Sequence, residues 1–138
     1  MSTNALYRGA AVVLVLFAAG HTFGFLKFRP ANAEGLAVYE GMQRVTFSVG
    51  SGSYTYGGFY RGFGLFATAF LLFSALVAWQ IGEMSPAVRP SVAVMAWGLV
   101  VAQAVSTLLS FMYFFPAPSS FSVVSLALLV AGALRLGN

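Results

Sequence analysis

Four long apolar runs, separated by stretches that hold nearly all the charge, constrain what this chain can fold into. The runs cover residues 6–26, 63–80, 92–114 and 120–134. A helix that crosses the hydrocarbon core of a bilayer needs about 20 mostly apolar residues. The sequence of 138 residues is 59% hydrophobic and 7% charged, whereas soluble domains carry about 25% charged residues. Because no soluble fold of this length could cover so much apolar surface, we expect lipid to surround the chain.

We therefore predict an all-α membrane protein, a four-transmembrane-helix bundle that forms one integral membrane domain over residues 1–138. The one long connection, residues 27–62, is expected to be structured. Within residues 32–45, apolar residues recur at every third position, at Leu36, Tyr39, Met42 and Val45. This spacing predicts a short amphipathic helix that lies on the membrane surface or caps the bundle.

The second half of this connection alternates polar and apolar residues around Gly50-Ser51-Gly52. Such alternation around a glycine-rich turn is typical of a β-hairpin, and a lone hairpin needs packing to persist in water. The aromatic residues that follow the turn predict a belt at the level of the lipid headgroups. They are Tyr54, Tyr56, Phe59 and Tyr60.

The N-terminal region resembles a secretory signal peptide. Arg8 is followed by an apolar stretch and by Ala31-Asn32-Ala33, which matches a small-residue cleavage site. The apolar stretch is longer than the hydrophobic region of a typical signal peptide. We therefore interpret it as the first membrane helix.

The net charge of +4 comes from basic residues that do not form a basic stripe. Most of them lie near predicted helix ends, where Lys and Arg side chains typically reach toward lipid headgroups. We therefore exclude nucleic acid as a partner and expect the lipid bilayer instead.

The chain contains no cysteine and one histidine. The lack of cysteine excludes a disulfide framework, a thiolate metal site, thiol catalysis and Cys-x-x-Cys-His haem attachment. A single histidine offers too few ligands for zinc. We therefore expect neither a metal nor another cofactor.

Two Gly-x-x-x-Gly motifs lie near the end of the first run and the start of the second. They are Gly20-His21-Thr22-Phe23-Gly24 and Gly58-Phe59-Tyr60-Arg61-Gly62. Small residues one helical turn apart allow two transmembrane helices to approach closely. The sequence predicts that the first two spans pack together through the glycines of these motifs and the one that follows, namely Gly20, Gly24, Gly58, Gly62 and Gly64.

The candidate catalytic residues are His21, Glu40 and Arg61. His21 is either a structural histidine bonded to a neighbouring segment or an acid/base, because imidazole changes charge near neutral pH. Arg61 can reach the headgroups, pair with Glu34 or Glu40, or bind an anionic headgroup or substrate.

A polar stripe on the third run supplies the candidate ligand-binding residues. Steps of three and four place Gln103, Ser106, Thr107, Ser110 and Tyr113 mostly on one helix face. The stripe either bonds neighbouring helices together or, with Tyr60, binds a ligand. Gln103, Ser110 and Tyr113 could line one half-buried pocket together with His21, Arg61 and a carboxylate of the first connection.

The segments Gly20-His21-Thr22-Phe23-Gly24-Phe25 and Phe59-Tyr60-Arg61-Gly62-Phe63-Gly64-Leu65, followed by Trp79-Gln80-Ile81-Gly82, resemble those of an uncharacterised family of small bacterial four-helix integral membrane proteins. The resemblance covers most of the chain. It implies a bacterial four-span membrane protein and carries over no catalytic residue.

Two functions follow as hypotheses. The first is a bundle that binds lipid or a small lipophilic molecule, or a small subunit of a membrane complex or homo-oligomer. The second is a membrane-embedded, isomerase-like enzyme that transfers a proton on a lipophilic substrate, with His21 as the acid/base. A channel is disfavoured because no apolar run contains an acidic residue.

We expect a multi-pass protein of the bacterial inner membrane. The termini and the second connection carry Arg8, Arg89 and Arg135, against Lys27, Arg29, Arg44 and Arg61 on the other side. If Arg44 and Arg61 are structural or site residues, the remaining basic residues favour cytoplasmic termini.

Overall fold

The computed structural model describes residues 1–136, which are mainly helical. In chain order the elements are α1 (Thr3–Lys27), α2 (Ala33–Arg44), β1 (Thr46–Val49), β2 (Gly52–Thr55), α3 (Tyr56–Glu83), α4 (Ala93–Tyr113) and α5 (Pro116–Ala133), with a short 3-10 helix, Arg89–Val92, directly before α4. The predicted all-α fold class, with a short helix and a small hairpin in the first connection, is confirmed.

Within the described residues, four helical segments are long and apolar enough to cross a membrane. They are Thr3–Lys27, Tyr56–Glu83, Arg89–Tyr113 and Pro116–Ala133. α3 begins at Tyr56 rather than at residue 63. It therefore includes the glycine- and aromatic-rich segment that precedes the apolar run. α5 begins at Pro116 rather than at residue 120, since proline is favoured in the first turn of a helix.

Contacts divide the chain into two compact units. The first, which we call the bundle unit, contains residues 1–18 and 70–136 of the described chain. The second, which we call the loop unit, contains residues 19–69. The residues with candidate chemistry fall in both units: His21, Glu40, Tyr60 and Arg61 in the loop unit, and Gln103, Ser106, Ser110 and Tyr113 in the bundle unit.

Four helices build the core of the bundle unit. Its main cluster takes buried residues from α1, α3, α4 and α5, and five of them are alanines: Ala10, Ala11, Ala78, Ala96 and Ala133. Small side chains allow transmembrane helices to approach closely. Tyr7 is fully buried in this cluster, and a Cβ at Gly132 would lie 2.8 Å from its ring. The close approach of Tyr7 to α5 therefore requires glycine at position 132.

A second cluster of the bundle unit joins α1 to α3. Its buried residues are Leu14, Phe17, Ala18, Leu71 and Ala75. Phe17 also stacks on Phe121 of α5, with ring centroids 5.6 Å apart. α1 is therefore packed on two neighbours at this level, through aliphatic side chains on one and an aromatic pair on the other.

Arg89 departs from the expectation that the basic residues reach toward headgroups. It is 1% exposed, and its Nη2 donates to Asn4 Oδ1 at 2.8 Å and to the Met84 carbonyl at 2.7 Å. Asn4 Nδ2 in turn donates to the Gly82 carbonyl at 2.8 Å. The last carbonyls of a helix lack intrahelical partners and attract positive charge. Arg89 and Asn4 therefore cap the C-terminal end of α3 and tie it to α1.

The loop unit contains the amphipathic helix α2. The Asn32 side chain accepts a hydrogen bond from the Gly35 N–H at 2.9 Å, as expected of a residue that caps a helix N-terminus. No residue of α2 is fully buried. The apolar side chains at every third position, Leu36, Tyr39 and Met42, are its half-buried ones, and α2 packs against β2.

The hairpin of the loop unit pairs β1 with β2 in antiparallel register, with Val49 opposite Gly52. Gly50 has a φ of 57°, and glycine with positive φ at the first of two loop positions is the pattern of a type II′ turn. Phe47 contacts the rings of Tyr54, Tyr56 and Phe59. An aromatic cluster therefore holds the hairpin to the start of α3.

Candidate functional site

His21 lies in the loop unit, where α1 meets α3. Its Nε2 is 3.0 Å from the Gly64 carbonyl oxygen. A carbonyl oxygen only accepts, so Nε2 carries the hydrogen of this bond. The ring also packs on Phe25, with centroids 5.1 Å apart. Within residues 1–136, Nδ1 has no hydrogen-bond partner, and the side chain is half-buried.

Two threonines extend this polar contact. Thr68 Oγ1 donates to the same Gly64 carbonyl at 3.2 Å, and the hydroxyls of Thr22 and Thr68 are 2.7 Å apart. Side chains from two helices thus share one backbone acceptor. Such contacts bond transmembrane helices together with an average of about 0.6 kcal/mol each. The arrangement matches the structural role weighed for His21.

The space around Gly64 explains why a glycine is present there. A Cβ at this position would lie 2.6 Å from the Phe25 ring, so the aromatic side chain of α1 rests directly on the backbone of α3. A Cβ at Gly20, Gly24 or Gly62 would meet no other part of the described chain within 4 Å. Of the five predicted packing glycines, Gly64 has the close contact between helices, while Gly58 lies beside Thr55.

No charged group assists His21. The one ion pair among residues 1–136 joins Arg8 to Glu83, so neither Glu40 nor Arg61 lies within 4.0 Å of an oppositely charged group. Glu40, Tyr60 and Arg61 are all exposed. The loop unit therefore does not join its three candidate catalytic residues into an acid/base constellation. In the same part of the chain, no group of three or more His, Cys, Asp or Glu residues could hold a metal ion.

The loop unit presents an exposed aromatic surface. Phe47, Phe59 and Phe63 form a chain of ring contacts, with centroids 5.5 Å and 4.7 Å apart. The residues of the predicted belt, Tyr54, Tyr56, Phe59 and Tyr60, are all about half exposed. Aromatic side chains with one wet and one apolar side are enriched at membrane interfaces.

The polar stripe on α4 belongs to the bundle unit, and half of it faces α5. Gln103, Thr107 and Ser110 are buried. Gln103 Nε2 donates to the Ser122 carbonyl at 3.4 Å, and the hydroxyls of Ser110 and Ser122 are 3.2 Å apart. These bonds match the reading of the stripe as a contact between helices.

The remaining members of the stripe point elsewhere. Ser106 donates to the Ala102 carbonyl of its own helix at 3.0 Å, and Tyr113 is 70% exposed. The predicted convergence of this stripe with His21 and Arg61 joins residues of the two units and stays a prediction.

Sequence reasoning missed the buried polar residues of α5, of which Ser122 bonds α4. Ser119, Ser122 and Ser125 recur at every third position, and all are buried. That spacing is the signal that could have identified them. It also missed the hydrogen bond between buried Arg89 and half-buried Asn4, for which the sequence carries no periodic signal, because the two residues come from distant segments.

Two apolar grooves lie on the bundle unit. One has a volume of about 450 Å³ and lies at the turn between α4 and α5, beside Phe111, Phe114 and Pro116. The other has a volume of about 400 Å³ and runs between α1 and α3, ending at Trp79. Neither groove includes a site residue that the sequence predicted.

Comparisons with protein-family models, with curated proteins and with solved structures find no match to this chain.

Proposed function

We propose that this protein is a non-enzymatic, multi-pass integral membrane protein of the bacterial inner membrane, whose loop unit binds anionic lipid headgroups. The sequence resemblance supports the bacterial origin and the membrane.

The charges of the loop unit carry this proposal. Its four basic side chains, Lys27, Arg29, Arg44 and Arg61, are exposed, and none pairs with Glu34 or Glu40 in the described chain. Four positive and two negative charges leave a net charge of +2. Each Lys or Arg near an anionic membrane surface contributes about 1 kcal/mol of attraction. Guanidinium groups without an internal partner keep all their donors for phosphate oxygens.

The apolar surface of the loop unit supports the same location. A helix that buries no residue of its own, such as α2, is typical of segments that lie in the interface plane. The exposed tyrosines and phenylalanines beside it have the amphipathic character of an interfacial belt. Cations and aromatic rings together suit the boundary between phosphate groups and acyl chains.

The geometry disfavours the isomerase-like alternative. Proton transfer needs an acid/base within hydrogen-bond reach of the reacting atom and groups that orient it. His21 uses Nε2 for the Gly64 carbonyl, and among residues 1–136 it forms no ion pair with a carboxylate. Neither groove described above contains it.

A second candidate function is a small subunit of a membrane complex or a homo-oligomer. The observation that favours it is the open space at Gly20, Gly24 and Gly62, where a second transmembrane helix could approach. Gly20 and Gly24 lie one turn apart on α1, the spacing of a helix-packing motif.

Native mass spectrometry of the gently solubilised protein tests both functions. With mixed phosphatidylglycerol and phosphatidylcholine, the wild type should retain phosphatidylglycerol, and the double variant Arg44→Gln/Arg61→Gln should retain about thirtyfold less. The matched control Glu34→Gln/Glu40→Gln also changes two charges, but it should retain as much or more. Equal retention by the wild type and the arginine variant would contradict headgroup binding. A stable dimer or a co-purifying chain would instead support the subunit role.

A further inference from the structure

We propose that the groove between α1 and α3 is the seat of one zwitterionic phospholipid, with its phosphate on Arg8 and its primary ammonium on Glu83. This site lies in the bundle unit and is independent of the headgroup surface proposed for the loop unit.

The groove has the shape and lining for an acyl chain. Four residues of α1 between Ala11 and Leu16 and four residues of α3 between Leu72 and Trp79 line it, and its volume is about 400 Å³. All of these residues are apolar apart from the indole N–H of Trp79. Seven residue steps along α3 give the groove a length of about 10 Å. The hydrocarbon core of a bilayer would surround such a groove, because both helices are apolar enough to span it.

The end of the groove at Trp79 is directed toward the start of α1 and the end of α3. Trp79 lies four residues before the end of α3 at Glu83, and Ala11 lies eight residues after the start of α1 at Thr3. The Arg8 guanidinium carbon lies 5.7 Å from the centroid of the Trp79 ring. The ring therefore contacts the groove on one side and a charged group on the other, as interfacial tryptophans do. A lipid whose chain occupies the groove would have its headgroup at Arg8 and Glu83.

The two charges at this end complement a zwitterion. Arg8 Nε and Nη2 bind Glu83 Oε1 and Oε2 at 2.8 Å and 2.9 Å, and the two side chains are 48% and 43% exposed. A guanidinium has about five N–H donors and a carboxylate about four acceptor sites. The pair uses two of each, which leaves about three donors and two acceptor sites accessible.

The sign of each charge selects the headgroup. A phosphate can bind the free donors of Arg8, and a primary ammonium can donate to the free acceptor sites of Glu83. Phosphatidylglycerol offers Arg8 the same phosphate, but its headgroup ends in neutral hydroxyls, whose hydrogen bonds to Glu83 are weaker than those of an ammonium. A choline headgroup has no N–H with which to donate to Glu83. The seat is therefore expected to prefer phosphatidylethanolamine over phosphatidylglycerol and phosphatidylcholine.

Lipid titration followed by native mass spectrometry tests this lipid-binding site. The measurements use the Arg44→Gln/Arg61→Gln variant as the parent protein, so that lipid bound by the loop unit does not mask the site. The parent should retain one phosphatidylethanolamine with a roughly three- to fivefold preference over phosphatidylglycerol, the size of one half-exposed ion pair. Glu83→Gln should abolish this preference while the phosphate contact remains. Arg8→Gln should weaken the retention of both lipids. Arg135→Gln, which removes a cation bonded to the Met1 carbonyl, should change nothing.

A second pair of variants tests the groove without touching the charges. Val15→Phe fills the groove, whereas Val105→Phe adds the same bulk to an exposed position on α4 that lines neither groove. Only Val15→Phe should lose the retained lipid, with thermal stability unchanged in both. Equal retention of phosphatidylethanolamine and phosphatidylglycerol by the parent would overturn the proposal. So would an unchanged preference in Glu83→Gln, or unchanged retention in Val15→Phe.

Discussion

The bundle unit and the loop unit differ in how they treat their charged groups. In the bundle unit Arg8 pairs with Glu83, Arg89 is buried against Asn4 and a helix end, and Arg135 donates to the Met1 carbonyl. In the loop unit the six charged side chains form no ion pair within residues 19–69. The bundle unit therefore gives its charged side chains partners within the unit, although four of its buried polar atoms, Tyr7 Oη, Ser74 Oγ, Arg89 Nε and Gln103 Oε1, have no hydrogen-bond partner in the described chain. The loop unit presents its charged side chains to the surroundings.

The two units also differ in the space around their glycines. In the bundle unit a Cβ at Gly132 would collide with the Tyr7 ring, whereas in the loop unit a Cβ at Gly24 would meet nothing within 4 Å of the described chain. Glycine therefore has a packing role in one unit. In the other it leaves a surface open to lipid or to a partner helix.

We expect the largest loss of stability when an internal polar contact of the bundle unit is removed. Asn4→Ala removes a hydrogen bond to the buried Arg89 guanidinium and leaves the Gly82 carbonyl without its side-chain partner. We expect a loss of about 3 kcal/mol in the free energy of unfolding, since buried charges that lose a partner are costly.

Reversible unfolding of the detergent-solubilised protein measures this loss. The matched variant Arg44→Ala removes an exposed charge from the loop unit and should change the unfolding free energy by less than about 0.5 kcal/mol. If the two variants were equally stable, the bundle unit would not differ from the loop unit in the way described.

The next effect concerns the glycines. Gly132→Ala forces a methyl group against the Tyr7 ring, and overpacking of this kind costs about 2 kcal/mol. Gly24→Ala has open space and should be neutral, or stabilise α1 by up to about 1 kcal/mol through higher helix propensity. Thermal unfolding of both variants in the same detergent compares them directly. Destabilisation by Gly24→Ala together with loss of a dimer would show that this surface is an interface.

The smallest effect concerns His21. His21→Leu removes one hydrogen bond to the Gly64 carbonyl, which still accepts from Thr68. We expect a loss of about 0.6 kcal/mol, with lipid retention unchanged, as measured by unfolding and native mass spectrometry. A loss of lipid retention at unchanged stability would indicate that His21 belongs to a binding site.

The sequence was sufficient to predict the fold class and the small elements of the first connection. The length of the apolar runs identified the four long helices. The three-residue spacing of Leu36, Tyr39 and Met42 identified α2, because the apolar residues of an amphipathic helix lie on the side that is partly buried. The Gly50-Ser51-Gly52 turn identified the hairpin, since one of its positions needs a positive φ. Helix ends were less accurate, because hydropathy does not register helical turns that are rich in glycine and tyrosine, such as residues 56–62.

The site was less predictable, since its contacts depend on helix rotation. The stripe on α4 was recognised, but periodicity did not show that Ser106 bonds its own helix while Gln103 and Ser110 face α5. Five glycines were expected to pack between helices. Only the position of the Phe25 ring, which the sequence does not give, shows that Gly64 is the glycine of the five in close contact with a neighbouring helix. Arg89 looked like any basic residue near a helix end. Its burial depends on Asn4, which lies 85 residues away in the chain.

The proposed contact of the loop unit with lipid headgroups can be measured with a fluorophore at Tyr60. Tyr60 is 50% exposed, and Trp79 and Trp97 are the two tryptophans of the chain. In a Trp79→Phe/Trp97→Phe background, Tyr60→Trp reports the environment of the belt alone. We predict blue-shifted emission that phosphatidylglycerol enhances and that lipids brominated near the headgroup quench. Water-like emission, quenched by aqueous acrylamide and insensitive to lipid composition, would contradict the account.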